Sequence, residues 1–315
     1  MSACVEVLSP GLQTTVQDLG RWGHQAVGVA VSGPMDPFAH RLANALAGNP
    51  KSAATLEVAI VGPVLRFEES RIVAVAGAGF ELTLDAQPVP CETPLAVRPG
   101  SVLRFGSRRY GARAYLAVSG GIDTPTVLGS RATHLPTSTG GFDGRALRRG
   151  DRVPLGAAGL AARPPRFRAS TAAGDDPIAV VRVLPGPEHE RCGPTALEAL
   201  VSAPYHVNVQ SDRMGYRLSG PTLVLPDGSA DIISDAVPAG TIQVPASGQP
   251  LVLMADRQTA GGYARLATVI TADLGRVGQA CPGDRVRFQL CTSAEALAAL
   301  VARERPLLAI ERDPA

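Results

Sequence analysis

The chain has 315 residues, of which 30 are basic and 28 acidic, for a formal net charge of +2; 45% are hydrophobic and 18% charged. That balance excludes a disordered chain and offers no basic stripe for a phosphate backbone, while aromatic residues at 4% leave little for base stacking. At about 150 residues per domain the length favours two domains, and 34 glycines with 27 prolines set frequent turns between short Val/Ile/Leu runs, a pattern of β-structure rather than of a helical bundle.

In chain order, residues 5–8 read as a strand, followed by a glycine-rich polar loop through Gln17, Asp18, Arg21, Gly23 and Gly28 to Met35. Asp36 and Pro37 then open a helix: Asp36 can cap, Pro37 suits the first position, Phe38, Leu42 and Leu46 share a face, and Gly48 ends it. Strands are predicted over 56–61, 64–67, 72–76, 81–85, 95–98, 102–105 and 112–119, the spacing of a closed or sandwiched antiparallel sheet. A Pro/Arg/Ala/Asp-rich stretch over 163–177 reads as a linker. Beyond it come predicted strands over 178–184, 205–209, 222–225, 241–244, 251–254, 266–270 and 286–290, with a short helix near 195–201. Thr292 three residues before Glu295 forms a possible capping box for a last helix ending near Ala302. The expected organisation is one β-domain over 1–165, a second over 178–291 and a helix over 292–303.

Residue inventory removes several chemistries. Lys51 is the single lysine, so a P-loop is absent, a Schiff-base lysine has one candidate, and no self-biotinylating lysine flanked by methionines exists. Cys4, Cys91, Cys192, Cys281 and Cys291 show no Cys-x-x-Cys pair, and His24, His40, His134, His189 and His206 never fall at metal-ligand spacing, so no metal is expected. The uncharged stretch 236–255 is broken by prolines, glycines and glutamines, and the first twenty residues lack a basic start and a long apolar run. The expectation is a cytoplasmic protein without membrane or nucleic-acid partners.

A faint internal repeat links Pro99-Gly100-Ser101-Val102-Leu103-Arg104-Phe105 with Pro282-Gly283-Asp284-Arg285-Val286-Arg287-Phe288, and Gln17, Asp18 and Arg21 with Gln210, Asp212 and Arg213. Two polar clusters stand out. Gln210 to Arg217 places two guanidiniums, Arg213 and Arg217, beside Asp212, and arginine forks bind carboxylates and phosphates, although an ion pair that pins a loop explains the same residues. Gln243 to Pro250 and Ala255 to Tyr263 add the amides of Gln243, Gln249 and Gln258 and a Thr-x-Gly-Gly turn whose N–H groups could hold an oxyanion; two hairpin turns are the plainer account. Ser119-Gly120-Gly121 and Ser138-Thr139-Gly140-Gly141 are anion nests or surface turns.

Over nearly the whole chain, from Gly11-Leu12-Gln13-Thr14-Thr15-Val16-Gln17-Asp18 to Pro282-Gly283-Asp284-Arg285-Val286, and through Leu116 to Ile122, Gln210 to Leu218 and Ile242 to Tyr263, the sequence resembles the biotin-dependent carboxyltransferase family. That family takes in the C subunits of 5-oxoprolinases, the antagonist of a kinase inhibitor and half of the urea amidolyase carboxyltransferase. The resemblance implies a mainly β fold of two cyclophilin-like β-barrel domains with a few short helices. It also implies a small partner of the allophanate hydrolase subunit 1 type, equivalent to the B subunit of 5-oxoprolinase, and a third protein of the A type. Such a complex opens 5-oxo-L-proline to L-glutamate with ATP, whose site is unknown, and no biotin is attached to this chain. The urea branch carries His-Asp-Asn where Ser234-Asp235-Ala236 stands, and a lysine near Thr271, so lactam hydrolysis is the preferred reading. Carboxyl transfer from carboxybiotin to a small acceptor, or regulatory binding, is the alternative. On this reading Asp212, Arg213 and Asp235 are the catalytic candidates, and Gln210, Arg217, Gln243, Gln249, Gln258, Gly261, Gly262 and Tyr263 bind substrate.

Overall fold

In a computed structural model, residues 3–157, 178–226 and 231–311 are described, and the predicted linker over 163–177 lies outside them. The chain separates into two compact units, the first formed by residues 1–22, 32–172 and 304–315 and the second by 23–31 and 173–303.

The first unit is a curled nine-stranded sheet with antiparallel pairing throughout: β1 (Cys4–Ser9), β2 (Gln13–Gln17), β3 (Thr55–Ala59), β4 (Val64–Phe67), β5 (Arg71–Leu84), β6 (Gln87–Val89), β7 (Leu95–Val97), β8 (Val102–Val118) and β9 (Arg152–Pro154). β2 falls where the sequence suggests a polar loop. Its β-branched Thr14, Thr15 and Val16 pair in register with Val58, Glu57 and Leu56 of β3, and this pairing outweighs the polar composition. The segments 72–76 and 81–85 are one strand, as are 102–105 and 112–119. Register shifts between Gly77 and Leu82 let β5 bend without ending, and Gly79 leaves room for the Tyr110 ring that lies on it. The core gathers Val5, Leu56, Leu65, Phe67, Leu103 and Leu116, each removed from water and contributing about 1.5–3 kcal/mol.

Helix α1 (Pro37–Leu46) covers this sheet with Ala39, Leu42, Ala43 and Leu46, packed on Ala74, Ala76, Tyr115 and Ala117. The Asp36 side chain accepts the Ala39 N–H at 3.2 Å, the cap that the sequence predicts, and fixes where the helix starts.

The second unit is a closed barrel in the order β10 (Ile178–Pro185), β17 (Arg265–Val269), β14 (Thr241–Gln243), β15 (Leu251–Leu253), β12 (Gly215–Ser219), β11 (Tyr205–Val207) and β18 (Arg285–Leu290), closed by the parallel pair of β18 with β10. Tyr205 and Phe288 fill its interior with ring centroids 6.0 Å apart. Two further strands, β13 (Asp231–Ala236) and β16 (Ala260–Tyr263), pair only with each other and form a ribbon that continues the antiparallel β14–β17 pair. Residues 222–225 do not form the strand expected of them. Helices α2 (Ala196–Ser202) and α3 (Leu274–Gly278) are short.

Helix α4 (Ser293–Glu311) starts with the predicted capping box: the Thr292 N–H donates to Glu295 Oε2 at 2.7 Å and the Glu295 N–H to Thr292 Oγ1 at 3.2 Å. It runs past the expected end to Glu311, despite Pro306. Its last turns are anchored in the first unit by buried Leu307 and by Arg41, which holds Glu304 at 2.6 Å and Glu311 at 2.8 Å. No helix among the described residues is long and apolar enough to cross a membrane.

The repeat has a structural counterpart. Before β8 and before β18 the chain makes the same Pro-Gly turn, with φ of 90° at Gly100 and 92° at Gly283, closed by Ser101 N–H to Arg98 O at 2.9 Å and Asp284 N–H to Cys281 O at 3.0 Å.

Candidate active site

The sequence-predicted residues divide among three places in the second unit. The first is the loop before β12. Here Asp212 is exposed, and its Oδ1 accepts the N–H groups of Met214 at 2.8 Å and Gly215 at 3.2 Å, a local turn rather than a bond to an arginine. Gln210 and Arg217 are also exposed, Gln210 bonded through its own N–H to Asn208 and Arg217 through its N–H to Ser211. Only Arg213 turns inward. It grips Asp256 with a planar fork, Nε to Oδ2 at 2.9 Å and Nη2 to Oδ1 at 3.0 Å, and both side chains are buried. Its ion-pair partner is thus Asp256, from the loop after β15, and not its neighbour Asp212.

The second place is the far end of β12. Gln249 clamps the chain there, accepting the Gly220 N–H at 3.0 Å and donating to the Gly220 carbonyl at 3.3 Å and Thr222 Oγ1 at 3.1 Å. Seven residues of near-extended chain, roughly 20 Å, separate Gly220 from Arg213.

The third place is the β13–β16 ribbon and its junction with the barrel, where the structure brings Asp235, Gln243, Gly261, Gly262 and Tyr263 together. Gln243, at the end of β14, is fully buried; its Nε2 donates to the Tyr263 carbonyl at 3.2 Å, and its Oε1 has no hydrogen-bond partner. Because a carbonyl can only accept, the amide nitrogen must face Tyr263, which leaves the oxygen as the free group. Gly261 and Gly262 lie in a paired strand, with Gly261 opposite Asp235, rather than in the turn read from the sequence. Gly261 is required by contact: a β-carbon there would stand 2.6 Å from Gln243 Nε2 and 3.3 Å from Val237 Cγ1. Tyr263 is 41% exposed and Gln258 is exposed on the loop leading into the ribbon.

Charge on the ribbon is organised by Arg265. It holds Glu188 through Nε at 2.7 Å and Nη2 at 2.6 Å, Asp235 through Nη2 at 2.8 Å, and the Ala236 carbonyl through Nη1 at 2.8 Å. The Ala236 N–H and then Arg265 hold the exposed Asp235 carboxyl below its usual range, and Arg265 does the same for Glu188. Both acids are therefore carboxylates near neutrality, suited to accepting hydrogen bonds and orienting an N–H rather than to donating a proton.

Arg257 was not singled out by sequence reasoning and is the residue the structure adds. It is 8% exposed; its Nε donates to the Val237 carbonyl at 2.8 Å and its Nη1 to the Met254 carbonyl at 3.3 Å. No carboxylate among the described residues faces it, and desolvation pulls its pKa down. The signal available in the sequence was its position between Asp256 and Gln258.

The two sequence-suggested nests in the first unit are filled by the chain itself. A β-carbon on Gly120 would stand 2.5 Å from the Ala157 carbonyl oxygen, and Gly140 and Gly141 are backed by the Ala132 carbonyl and Thr133 Oγ1. The N–H groups of Ser119, Gly120 and Gly121 are spent on the Ile72 carbonyl, Asn49 Oδ1 and the Val118 carbonyl, and those of Ser138, Thr139 and Gly141 on the carbonyls of Leu135, His134 and Arg131.

A curled sheet followed by a closed barrel, with a polar two-stranded ribbon on the barrel, defines a mainly β protein. The chain belongs to the family described as carboxyltransferase domain, subdomain A and B, whose profile matches residues 27–290. It is 37% identical over 301 residues to the C subunit of 5-oxoprolinase from Escherichia coli (strain K12), covering 96% of each chain, and 35% identical over 293 residues to the C subunit of 5-oxoprolinase from Haemophilus influenzae, covering 93% of each. Its structure resembles that of Kluyveromyces lactis urea amidolyase with a TM-score of 0.89 at 30% identity; the match covers 98% of this chain and 20% of that one. The chain thus spans about a fifth of the urea amidolyase it matches.

Proposed function

We propose that this chain is the C subunit of an ATP-dependent 5-oxoprolinase, hydrolysing 5-oxo-L-proline to L-glutamate together with partner proteins of the B and A types, in the cytoplasm. The observation that carries this reading is end-to-end similarity, at 35–37% identity, to two relatives named as 5-oxoprolinase C subunits. Hydrolysis breaks the ring C–N bond, with water giving its hydroxyl to the acyl carbon and a proton to the nitrogen. The ribbon is the proposed substrate face: Asp235, fixed by Arg265, is the proton acceptor, while Gln243, Gln258 and Tyr263 position the lactam. Arg213 is assigned a positioning role, since its fork is occupied by Asp256 and acts by fixing the loop that carries Arg257 and Gln258. Asp212, Gln210, Arg217 and Gln249 serve the loops at the two ends of β12. Among the described residues, neither the paired glycines of β16 nor the glycine turns of the first unit, whose N–H groups are bonded within the chain, form a phosphate cradle, and no step is routed through ATP.

Likeness to urea amidolyase favours a second reading, carboxyl transfer from carboxybiotin to a small acceptor. The two are separated by glutamate and ADP release from 5-oxoproline, assayed with the chain co-expressed with its partners and with a control lacking it. Loss of both products in the control is expected. An assembled complex that releases neither but consumes carboxybiotin would replace the first reading by the second.

A further inference from the structure

Buried cations in folded proteins are paired, because leaving one without a counter-charge keeps its desolvation cost uncompensated. In the second unit Arg213 meets this rule through Asp256, and the largely buried Arg265 side chain through Glu188 at 2.6 Å. Arg257 does not. Two of its nitrogens rest on the carbonyls of Val237 and Met254, Nη2 has no bond among the described residues, and the only influence on its charge is burial. Carbonyl dipoles hold the guanidinium in place but do not neutralise it.

A second unmet group stands on the other side of Val237. The Val237 carbonyl receives Arg257, while its side chain and the Gln243 amide both face the bare α-carbon of Gly261. Gln243 Oε1 is a buried acceptor without a donor. The two deficits are complementary in kind: Arg257 lacks an anion, and Gln243 lacks an N–H.

We propose that Arg257 and Gln243 form a two-point subsite for a small cyclic amide that carries a carboxylate on the carbon beside its ring N–H, Arg257 taking the carboxylate and Gln243 Oε1 the N–H. The inference rests on the lactamase reading for its choice of ligand. It gives Gln243 a role opposite to stabilising the lactam carbonyl, for which its oxygen has the wrong polarity. Entry of the ligand requires the ribbon to yield at Gly261, whose bare α-carbon faces the Gln243 amide.

The test uses the assembled complex with three ligands: 5-oxo-L-proline, 2-pyrrolidinone, which lacks the carboxylate, and the corresponding lactone acid, in which ring oxygen replaces N–H. Turnover and calorimetric binding are both read. Replacing a fork by a point charge in Arg257→Lys is expected to weaken 5-oxoproline by about tenfold or more in KM and Kd while moving 2-pyrrolidinone by less than about twofold. Arg257→Gln should behave likewise with a larger loss. Gln243→Leu is expected to erase the preference for 5-oxoproline over the lactone acid. Equal weakening of 5-oxoproline and 2-pyrrolidinone in Arg257→Lys means a purely structural clamp and overturns the subsite, as does unchanged affinity for both. Failure of wild-type complex to bind either lactam also overturns it. If the complex binds 5-oxoproline in an Arg257-dependent way but releases no glutamate, the subsite stands and the lactamase reading falls.

Discussion

Arg21 in the first unit and Arg257 in the second are both buried arginines that grip backbone carbonyls. Arg21 donates from Nε to the Val127 carbonyl at 3.0 Å and from Nη2 to that of Ala132 at 2.7 Å. Beside it, Gln17 donates to the Thr133 carbonyl at 3.0 Å and leaves its Oε1 unpaired, as Gln243 does beside Arg257. An unmatched glutamine oxygen therefore occurs in both units and does not mark a site by itself. The arginines differ in place: Arg21 is 1% exposed and staples the 127–133 segment, whereas Arg257 is 8% exposed, faces no carboxylate among the described residues and holds Val237 at the end of the ribbon. Both units leave a glutamine oxygen unmatched, and the second adds a buried arginine that no carboxylate among the described residues faces; that coincidence is where a ligand is to be sought.

The severest way to probe this comparison is to break the pair that braces the second unit. Asp256→Ala removes the carboxylate that the buried Arg213 fork grips and is expected to cost about 3–5 kcal/mol in urea unfolding. Next comes Arg21→Gln, which strips the buried Ala132 carbonyl and the part-buried Val127 carbonyl of a charged donor and should cost about 2–4 kcal/mol. Any accompanying loss of ligand affinity should be the same for lactams with and without a carboxylate. A ligand-specific loss at Arg21 would erase the distinction between the two arginines.

Acid should sharpen the contrast from the side of the first unit. His40 is fully buried between Thr55, at 3.0 Å, and the Lys51 carbonyl, at 3.2 Å, and desolvation lowers its pKa to about 4. Its folded value lies below the unfolded one, so the unfolded chain binds the extra proton between about pH 6.5 and 4. Its contribution is present above pH 6.5 and is lost as pH falls towards 4, by up to about 3 kcal/mol. His40→Asn should flatten the pH dependence of Tm in that window relative to wild type. The smallest expected effect is Thr292→Ala, which removes one half of the α4 capping box and should cost about 1 kcal/mol without touching either arginine.

Much of this molecule was legible from local pattern. The Asp36 cap, the Thr292–Glu295 box, the Pro-Gly turns before β8 and β18, and β4 at residues 64–67 all rest on interactions within a few residues, which is the range at which sequence speaks plainly. Strands that bend at glycines are split by the same reasoning, since Gly77 and Gly79 look like strand ends until β8 is seen to pair with β5 from Val73 to Leu84. The short strands β13 and β16 carry Asp, Ser and Gly, residues that local preference assigns to turns, and are held by pairing with each other.

By itself the sequence determined a mainly β chain in two parts, a first helix with its cap, a polar Gln243-to-Tyr263 segment and the family to which these belong. Tertiary structure alone decided which polar groups satisfy one another. Arg213 finds Asp256 across 43 residues rather than adjacent Asp212, because the ends of β12 and β15 lie side by side and a buried fork needs a carboxylate that is buried with it. Once that pairing is made, Arg257 is, among the described residues, the buried arginine of the second unit that no carboxylate faces, and no spacing rule in the sequence could have shown which of the two it would be.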